Sequence, residues 1–569
     1  MQLPGDQRDT GTSRSGNLQP GDPEWHSRVQ SPLRLSAEDE PVWLDQADVV
    51  IIGLGGAGVC AAIEALDAGC SAIAIDRFSG GGATRMSGGV VYAGGGTSMQ
   101  RDANVEDDPG NMRRYLKLEV ENAVSDATLD RFCETSPGLI DWLERQDVRF
   151  GSSLAPEKTS YPADGHYLYF SGNEAQALYA QHAHPAQRGH RVVGKGLTGK
   201  NLFDTLRATA VRKGLRIYSY AEVNRLVVSE SGTVEGVIFE RVDPASRAAR
   251  RIDMLQRSFA RSTTLLFPKL GEKLKQRAAA AAHGNSVAGA IAAKKGVILA
   301  AGGFIQNREM VRHYAPKYSG ATPLGSMGCD GSGIRLGQSV GAVVDRMERI
   351  SAWRQFLPPK ALAQGIVVDG QGRRLIAEDS YGGTTGYMIA EKAAGRAFII
   401  IDRALYWQVI RQAMPGKGKL FRIQGAPALM ALLLSSHRGR TLAELARKCG
   451  MDPRLLENSV AHYNDGSADA EGDTFRKDPA YTATLDHPPF HAIDISIDNR
   501  RYLCPTISLG GIVVDEGTGQ ALDADGSPVP KLYAAGRNAI GISSNHYISG
   551  LSLADCIFSG RTAGKTASN

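Results

Sequence analysis

The chain has 569 residues, 42% of them hydrophobic and 22% charged, with a formal net charge of +5. Those proportions are ordinary for a globular protein, and no apolar run approaches the ~18 residues of a membrane span. Seven cysteines, an odd number without CxxC or CxxCH spacing, argue against a disulfide scaffold, a zinc site, c-type haem or an iron–sulfur cluster, and read as reduced core residues.

Residues 1–40 are rich in Gly, Pro, Ser, Asp and Arg and poor in large apolar side chains, so they are expected to form a disordered tail. They lack the basic-then-apolar pattern of a secretion signal, and the cytoplasm is the expected compartment. The next apolar run, Val49 to Ile52, has the composition of a buried parallel strand and leads into Gly53, Gly55 and Gly58, a GxGxxG turn that includes Gly56 and Ala57. The first glycine permits a tight turn, the second lets a pyrophosphate approach the backbone, and the third allows a helix to sit close to the strand. In that helix Val59, Ala62, Ile63 and Leu66 fall at i, i+3, i+4 and i+7, and Gly69 suits its C-terminal end. Ala72 to Ile75 resume as a strand that closes on Asp76, 23 residues after Gly53, followed by Arg77. A carboxylate there can accept hydrogen bonds from ribose hydroxyls. A second glycine cluster follows, in which Thr84, Ser87, Gly88 and Gly89 would line the path of an FAD pyrophosphate and ring; a nicotinamide enzyme needs no such cluster. FAD is the expected cofactor.

From about 104 to 150 the pattern is helical, with Tyr115, Leu116, Val120, Leu139, Ile140 and Leu143 on buried faces. The loop from Lys158 to Glu174 gathers Tyr161, Tyr167, Tyr169 and Phe170, either as an apolar wall for a flat substrate or as anchors for the loop itself. Tyr218 to Phe239, containing Val223, alternates around a Ser-Gly turn and reads as a β-hairpin. Gly296 to Phe304 is another buried strand, running into Ala301 and Gly302.

Between these lies an insertion, Arg241 to Lys295, with 12 Lys/Arg against 3 Asp/Glu. Leu255, Phe259, Thr263, Phe267, Leu270 and Leu274 lie near helical spacing, with a break or kink at Pro268. A basic amphipathic segment could rest on an anionic membrane surface, or form a solvated helix pair covering the nucleotide domain; the second is preferred because such surface helices are common. As a surface insertion it would be removable without loss of FAD. Nucleic acid is not an expected partner, since no aromatic-basic interleaving accompanies the charge.

Residues 346–492, with Pro358-Pro359, a strand–turn in GIVVDGQGRRLI and a helix from Thr441, carry little nucleotide-type glycine patterning and should cap the substrate. The nucleotide domain then resumes, and KLYAAGR, with Gly536 and Arg537, repeats the strand-into-glycine design. The expected fold is α/β: a discontinuous Rossmann-like FAD-binding domain (41–345 and 493–569) with an inserted α+β substrate-capping domain (346–492).

These segments resemble the fumarate reductase and 3-ketosteroid dehydrogenase superfamily of flavoproteins, from about Asp48 to Gly564. The RGHR at Arg188–Arg191 and the C-terminal SSNHYISGLSLADCIFSGR resemble its 3-oxosteroid 4-dehydrogenase branch, in which Tyr-x-Ser-Gly precedes a helix. The resemblance implies that Tyr547 and Ser549 are the catalytic Tyr and Ser, with Gly550, Ser552 and Leu553 beside the flavin. If the segment is extended, Tyr547 and Ser549 point to one side, and Gly550 lets the backbone approach the flavin before the helix opens near Leu551. No histidine lies between Ser27 and Gly165, so the histidyl link of succinate dehydrogenases has no candidate in the second glycine loop and the FAD should be non-covalent.

Removing two hydrogens next to a carbonyl needs a donor to the C=O, a base for the α-proton and a hydride acceptor. FAD is the acceptor, Tyr547 the candidate base and Ser549 its relay. Tyr381 takes the remaining role by family position, with Tyr387 as rival and Glu378 as a structural acid. The implied reaction is C4–C5 dehydrogenation of a saturated 3-oxosteroid, with electrons passed to an external acceptor. The alternatives are a 3-ketosteroid 1-dehydrogenase and a fumarate-reductase-like reductase; the latter lacks its donor arginine in AEDSYGG.

Overall fold

The computed structural model describes residues 29–36, 42–260, 267–354, 357, 359–414, 425–466 and 473–569. Most of residues 1–40, together with Thr263 and Pro358, lies outside them.

The main sheet takes its first seven strands from Leu33–Leu35 (β1), Asp45–Ile52 (β2), Ala72–Asp76 (β3), Arg216–Ser219 (β4), Ala221–Ser229 (β5), Val234–Val242 (β6) and Ser286–Leu299 (β7), in the order β1-β5-β6-β7-β2-β3-β4. β2 and β3 are parallel and buried on both faces, which is why they read as continuous apolar runs rather than alternating ones. β7 is the hub. Its first half pairs antiparallel with β6, Val242 opposite Ser286, and its last residues pair in parallel with Pro528–Ala534, the KLYAAGR strand. The two chain segments assigned to the nucleotide domain thus meet on one strand.

Three sequence boundaries move. The tail reading fails for residues 29–36: β1 adds in parallel to β5, and Val29 is 2% exposed, because even three extended residues find an open strand edge there. The insertion is shorter than 241–295. Arg241 and Val242 belong to β6 and Ser286 to Lys295 to β7, leaving a helical hairpin of Arg247–Phe259 and Pro268–Ala282. The capping segment carries a four-stranded antiparallel sheet of Ile366–Asp369, Ala397–Ile401, Phe490–Asp494 and Ser436–Gly439, so the 492/493 division falls inside a strand.

Five helices matter for the site: Gly56–Asp67 (α1), Pro109–Val120 (α2), the hairpin pair Arg247–Phe259 (α3) and Pro268–Ala282 (α4), and Leu551–Thr566 (α5). α1 and α5 lie against each other through small residues. A Cβ on Gly560 would sit 2.4 Å from the Ala57 carbonyl oxygen, and one on Gly564 2.5 Å from that of Ala61. All seven cysteines are free, six of them buried. Among the described residues no helix is long and apolar enough to cross a membrane.

Candidate active site

A cavity of about 610 Å³ is walled by the glycine-ended strands, the capping segment and the start of α5. Of the residues assigned from the sequence to cofactor binding or catalysis, all line it except Gly58 and the rival candidate Tyr387. Gly58 stands behind the wall: a Cβ there would lie 2.0 Å from the Gly53 carbonyl oxygen, so its absence lets α1 start against β2.

Gly55, the N-cap of α1, has open space where its Cβ would be, and the cap carries no side-chain hydrogen bond. This is a cradle for a phosphate pair at a helix N-terminus. Thr84 is tied to it, its Oγ1 accepting the Gly56 N–H at 3.1 Å. Asp76 ends β3 as expected, but its oxygens already accept the N–H groups of Leu54 (2.9 Å) and Phe78 (2.8 Å), so it braces the glycine turn as well as facing the cavity. Burial raises its pKa, against those two donors. Arg77 lies in the wall between Asp330 (2.6 Å) and Glu222 (3.1 Å). The residues present fit an FAD. No histidine is among the described lining residues. Acid precipitation should therefore release the flavin to the supernatant; flavin retained on the pellet would point instead to Cys329 or Cys556, which do line the cavity.

The other wall is aromatic. Tyr381, Tyr547 and Trp353 line the cavity with Tyr502, Leu503 and Ile507, and the Tyr381 and Trp353 rings lie 6.5 Å apart. Tyr547 and Ser549 both line the cavity while Ile548 between them is buried, in a turn closed by the Leu551 N–H on the Ile548 carbonyl at 3.1 Å rather than in an extended strand. The expected direct relay differs: the Ser549 hydroxyl lies 3.1 Å from the hydroxyl of Tyr169, and no hydrogen bond joins it to Tyr547 among the described residues. Burial raises the Tyr547 pKa, opposed by the Gly550 N–H and the charge of Arg537. Burial likewise pushes Tyr381 well above the usual phenol range, reinforced by its tyrosine neighbours, so it stays a proton donor. Gly550 is left-handed, φ +90°, and its Cβ would meet Tyr92 N at 2.9 Å; this turn sets the start of α5 beside Ser552 and Leu553.

The remaining sequence candidates fall elsewhere. Tyr387 is not among the lining residues and its ring lies 4.5 Å from that of His546. Glu378 is structural: it is fully buried, forked by Arg374 and paired with Lys477 at 3.0 Å. Arg188 and His190 of the RGHR run are core residues, Arg188 closing on Asp107 at 2.7 Å within a fully buried ion pair. In the aromatic loop, Tyr161 lines the cavity, and its hydroxyl lies 2.8 Å from both the Gly88 and Gly196 carbonyl oxygens, with one proton to donate to either, so it also anchors its loop.

Behind the aromatic wall sits a buried support that no local motif signals. Asn173 Oδ1 accepts the Tyr381 N–H at 2.7 Å, while its Nδ2 donates to Glu119 of α2 and to Thr384, both at 2.8 Å. Glu119 also accepts from the Tyr115 hydroxyl at 3.0 Å, and His546, next to Tyr547, comes within 3.8 Å. Burial raises the Glu119 carboxyl to about 7, against the Asn173 and Tyr115 donors and with help from Glu174. A carboxyl raised on folding takes up a proton that the unfolded chain releases, so its contribution falls as pH climbs from the unfolded value near 4.5 through about 7. Glu119→Gln should therefore gain on the wild type above pH 7 by on the order of 2–3 kcal/mol relative to their difference at pH 4.5. Paired melts at the two pH values read this directly; parallel curves would remove Glu119 from the pH response.

A glycine cradle at a helix N-terminus and a tyrosine-lined wall in one cavity define a flavin-dependent oxidoreductase. The family described as FAD binding domain matches residues 48–552. The 3-oxo-5-alpha-steroid 4-dehydrogenase of Comamonas testosteroni is 38% identical over 516 residues, spanning 89% of this chain and 96% of the relative. Among solved structures, the 3-ketosteroid-delta4-(5alpha)-dehydrogenase of Rhodococcus jostii RHA1, in complex with 4-androstene-3,17-dione, superposes with a TM-score of 0.78 at 28% identity, covering 95% of this chain and 100% of that one. The 3-ketosteroid delta1-dehydrogenase of Sterolibacterium denitrificans, at TM-score 0.62 and 17% identity over 92% of this chain and 99% of that one, is alike in fold. The chain belongs to this family of FAD-dependent oxidoreductases, together with the 3-oxosteroid 4-dehydrogenases.

Proposed function

We propose that the protein dehydrogenates a saturated 3-oxosteroid across C4–C5 and passes the electrons to an external acceptor. The observation that carries this reading is the aromatic and apolar wall, Trp353, Tyr381, Tyr502 and Ile507, facing the same cavity as the dinucleotide cradle. A flat, fused-ring substrate is matched by such a surface. Among the described lining residues, none from 346–492 is an arginine or lysine, which disfavours a dicarboxylate reductase. FAD, when bound, supplies the acceptor for the hydride leaving the carbon β to the carbonyl.

The chain's own residues supply the rest. Tyr381, kept protonated by burial, donates a hydrogen bond to the 3-oxo oxygen and makes the α-hydrogen more acidic. Tyr547, reacting as the phenolate, takes that α-proton on its oxygen and becomes the neutral phenol; the Gly550 N–H and Arg537 oppose the burial that raises its pKa. Ser549 lines the same wall, and its hydroxyl, 3.1 Å from that of Tyr169, positions the segment that carries Tyr547. The test is anaerobic bleaching of the bound flavin by saturated 3-ketosteroids, with the product double bond located by NMR. A C1–C2 product would replace this reading with a 1-dehydrogenase; bleaching by no steroid, with reoxidation by fumarate, would replace it with a reductase.

A further inference from the structure

The basic hairpin α3–α4 is not an appendage. Its buried face, Ile252, Leu255, Phe259, Leu274 and Ala278, forms one apolar cluster with Phe78 and Met327. Phe78 is two residues beyond Asp76, and Met327 adjoins Gly328 of the cavity wall. Asp253 of α3 also reaches the same loop, at 3.4 Å from the Ser79 hydroxyl. Beyond this anchoring, Phe259, Ala260, Pro268, Gly271 and Lys275 themselves line the cavity. Lys275 is fixed there by Glu272 at 2.7 Å and by the Gln306 carbonyl at 2.9 Å.

In a strand–helix–strand nucleotide unit the pyrophosphate lies at the first helix N-terminus and the acid ending the second strand faces the adenosine ribose. The Asp76 end of this cavity is therefore the adenosine end. We propose that α3 and α4 form the outer wall of the adenosine site and hold the FAD by burying its adenosine half, so that the insertion is a cofactor-binding element. The reading of the insertion as a dispensable surface feature is replaced by this one. The exposed cations Arg250, Arg251, Lys273 and Arg277, which have no ion pair among the described residues, stay on the outer face.

The strand register supplies the test. Val242 and Ser286 pair directly, so residues 243–285 can be replaced by an Asn-Gly turn that joins β6 to β7 as a hairpin. Apoprotein of this variant should bind FAD about 10- to 100-fold more weakly, the loss expected for uncovering on the order of 100 Å² of ligand surface. ADP, which carries the adenosine half alone, should raise the melting temperature of wild-type apoprotein and not that of the variant. A second variant keeps the question open to refutation if the turn version does not fold. Ala260 is solvent-exposed at the end of α3 yet lines the cavity, so Ala260→Trp adds bulk without disturbing the core and should also weaken FAD binding at least tenfold. Wild-type FAD affinity in a folded turn variant, or in Ala260→Trp, overturns the proposal.

Discussion

Replacing Tyr547 by Phe should leave FAD bound and steroid affinity nearly intact while flavin reduction by a saturated 3-ketosteroid slows by roughly 10²- to 10⁴-fold. The ring stays in the wall and only a hydroxyl is lost, and general acid–base catalysis is worth about 3–5 kcal/mol of barrier. Ser549→Ala and Tyr169→Phe should each slow the same step. Because their hydroxyls are 3.1 Å apart, the pair should cost less together than the sum of the singles. Stopped-flow reduction at the wild-type rate in Tyr547→Phe would take that residue out of the mechanism.

The second large effect separates two neighbouring glycines. Gly58→Ala puts a methyl 2.0 Å from a carbonyl oxygen of the turn it must pack on, and neither backbone can give way cheaply. A loss on the order of 3 kcal/mol is expected, together with a protein purified without flavin. Gly55→Ala meets nothing within 4 Å and has a φ of −96° that alanine tolerates, so the apoprotein should melt like the wild type. Its methyl instead occupies the phosphate cradle, and FAD affinity alone should fall. Equal melting temperatures for the two apoproteins would refute the division of labour.

That division was legible in the sequence because each glycine acts on its neighbours within one strand–turn–helix unit. The segment proposed as catalytic was legible for another reason: Tyr547, Ser549 and Gly550 fall within one short pattern matched by resemblance, and both Tyr547 and Ser549 line the cavity. What the pattern lacks is the partner. Tyr169 stands 380 positions from Ser549, and Asn173 reaches Tyr381 across 208; no periodicity encodes contacts made only after the loop and the capping segment dock. Asp76 shows a different limit. Its position announced a nucleotide acid, but its oxygens also hold the turn that presents the phosphate cradle, a local duty hidden from spacing. The hairpin's charge marks only its outer face, whereas the role proposed for it above rests on the residues that line the cavity, among them Phe259, Ala260, Pro268 and Gly271.

The close seat of α5 on α1 has a consequence for the order in which the protein is made. The groove over Ala57 and Ala61 is completed by Gly560 and Gly564, about 500 residues later, and Gly536, Ser552 and Leu553 of the cofactor wall are equally late. At ~5–20 residues per second, α1 waits roughly half a minute to two minutes on the ribosome with its apolar flank uncovered. Nascent chains stalled before residue 530 should retain no flavin. Capture of the cofactor, and with it the final stability of the sheet, waits for the segment beyond residue 530.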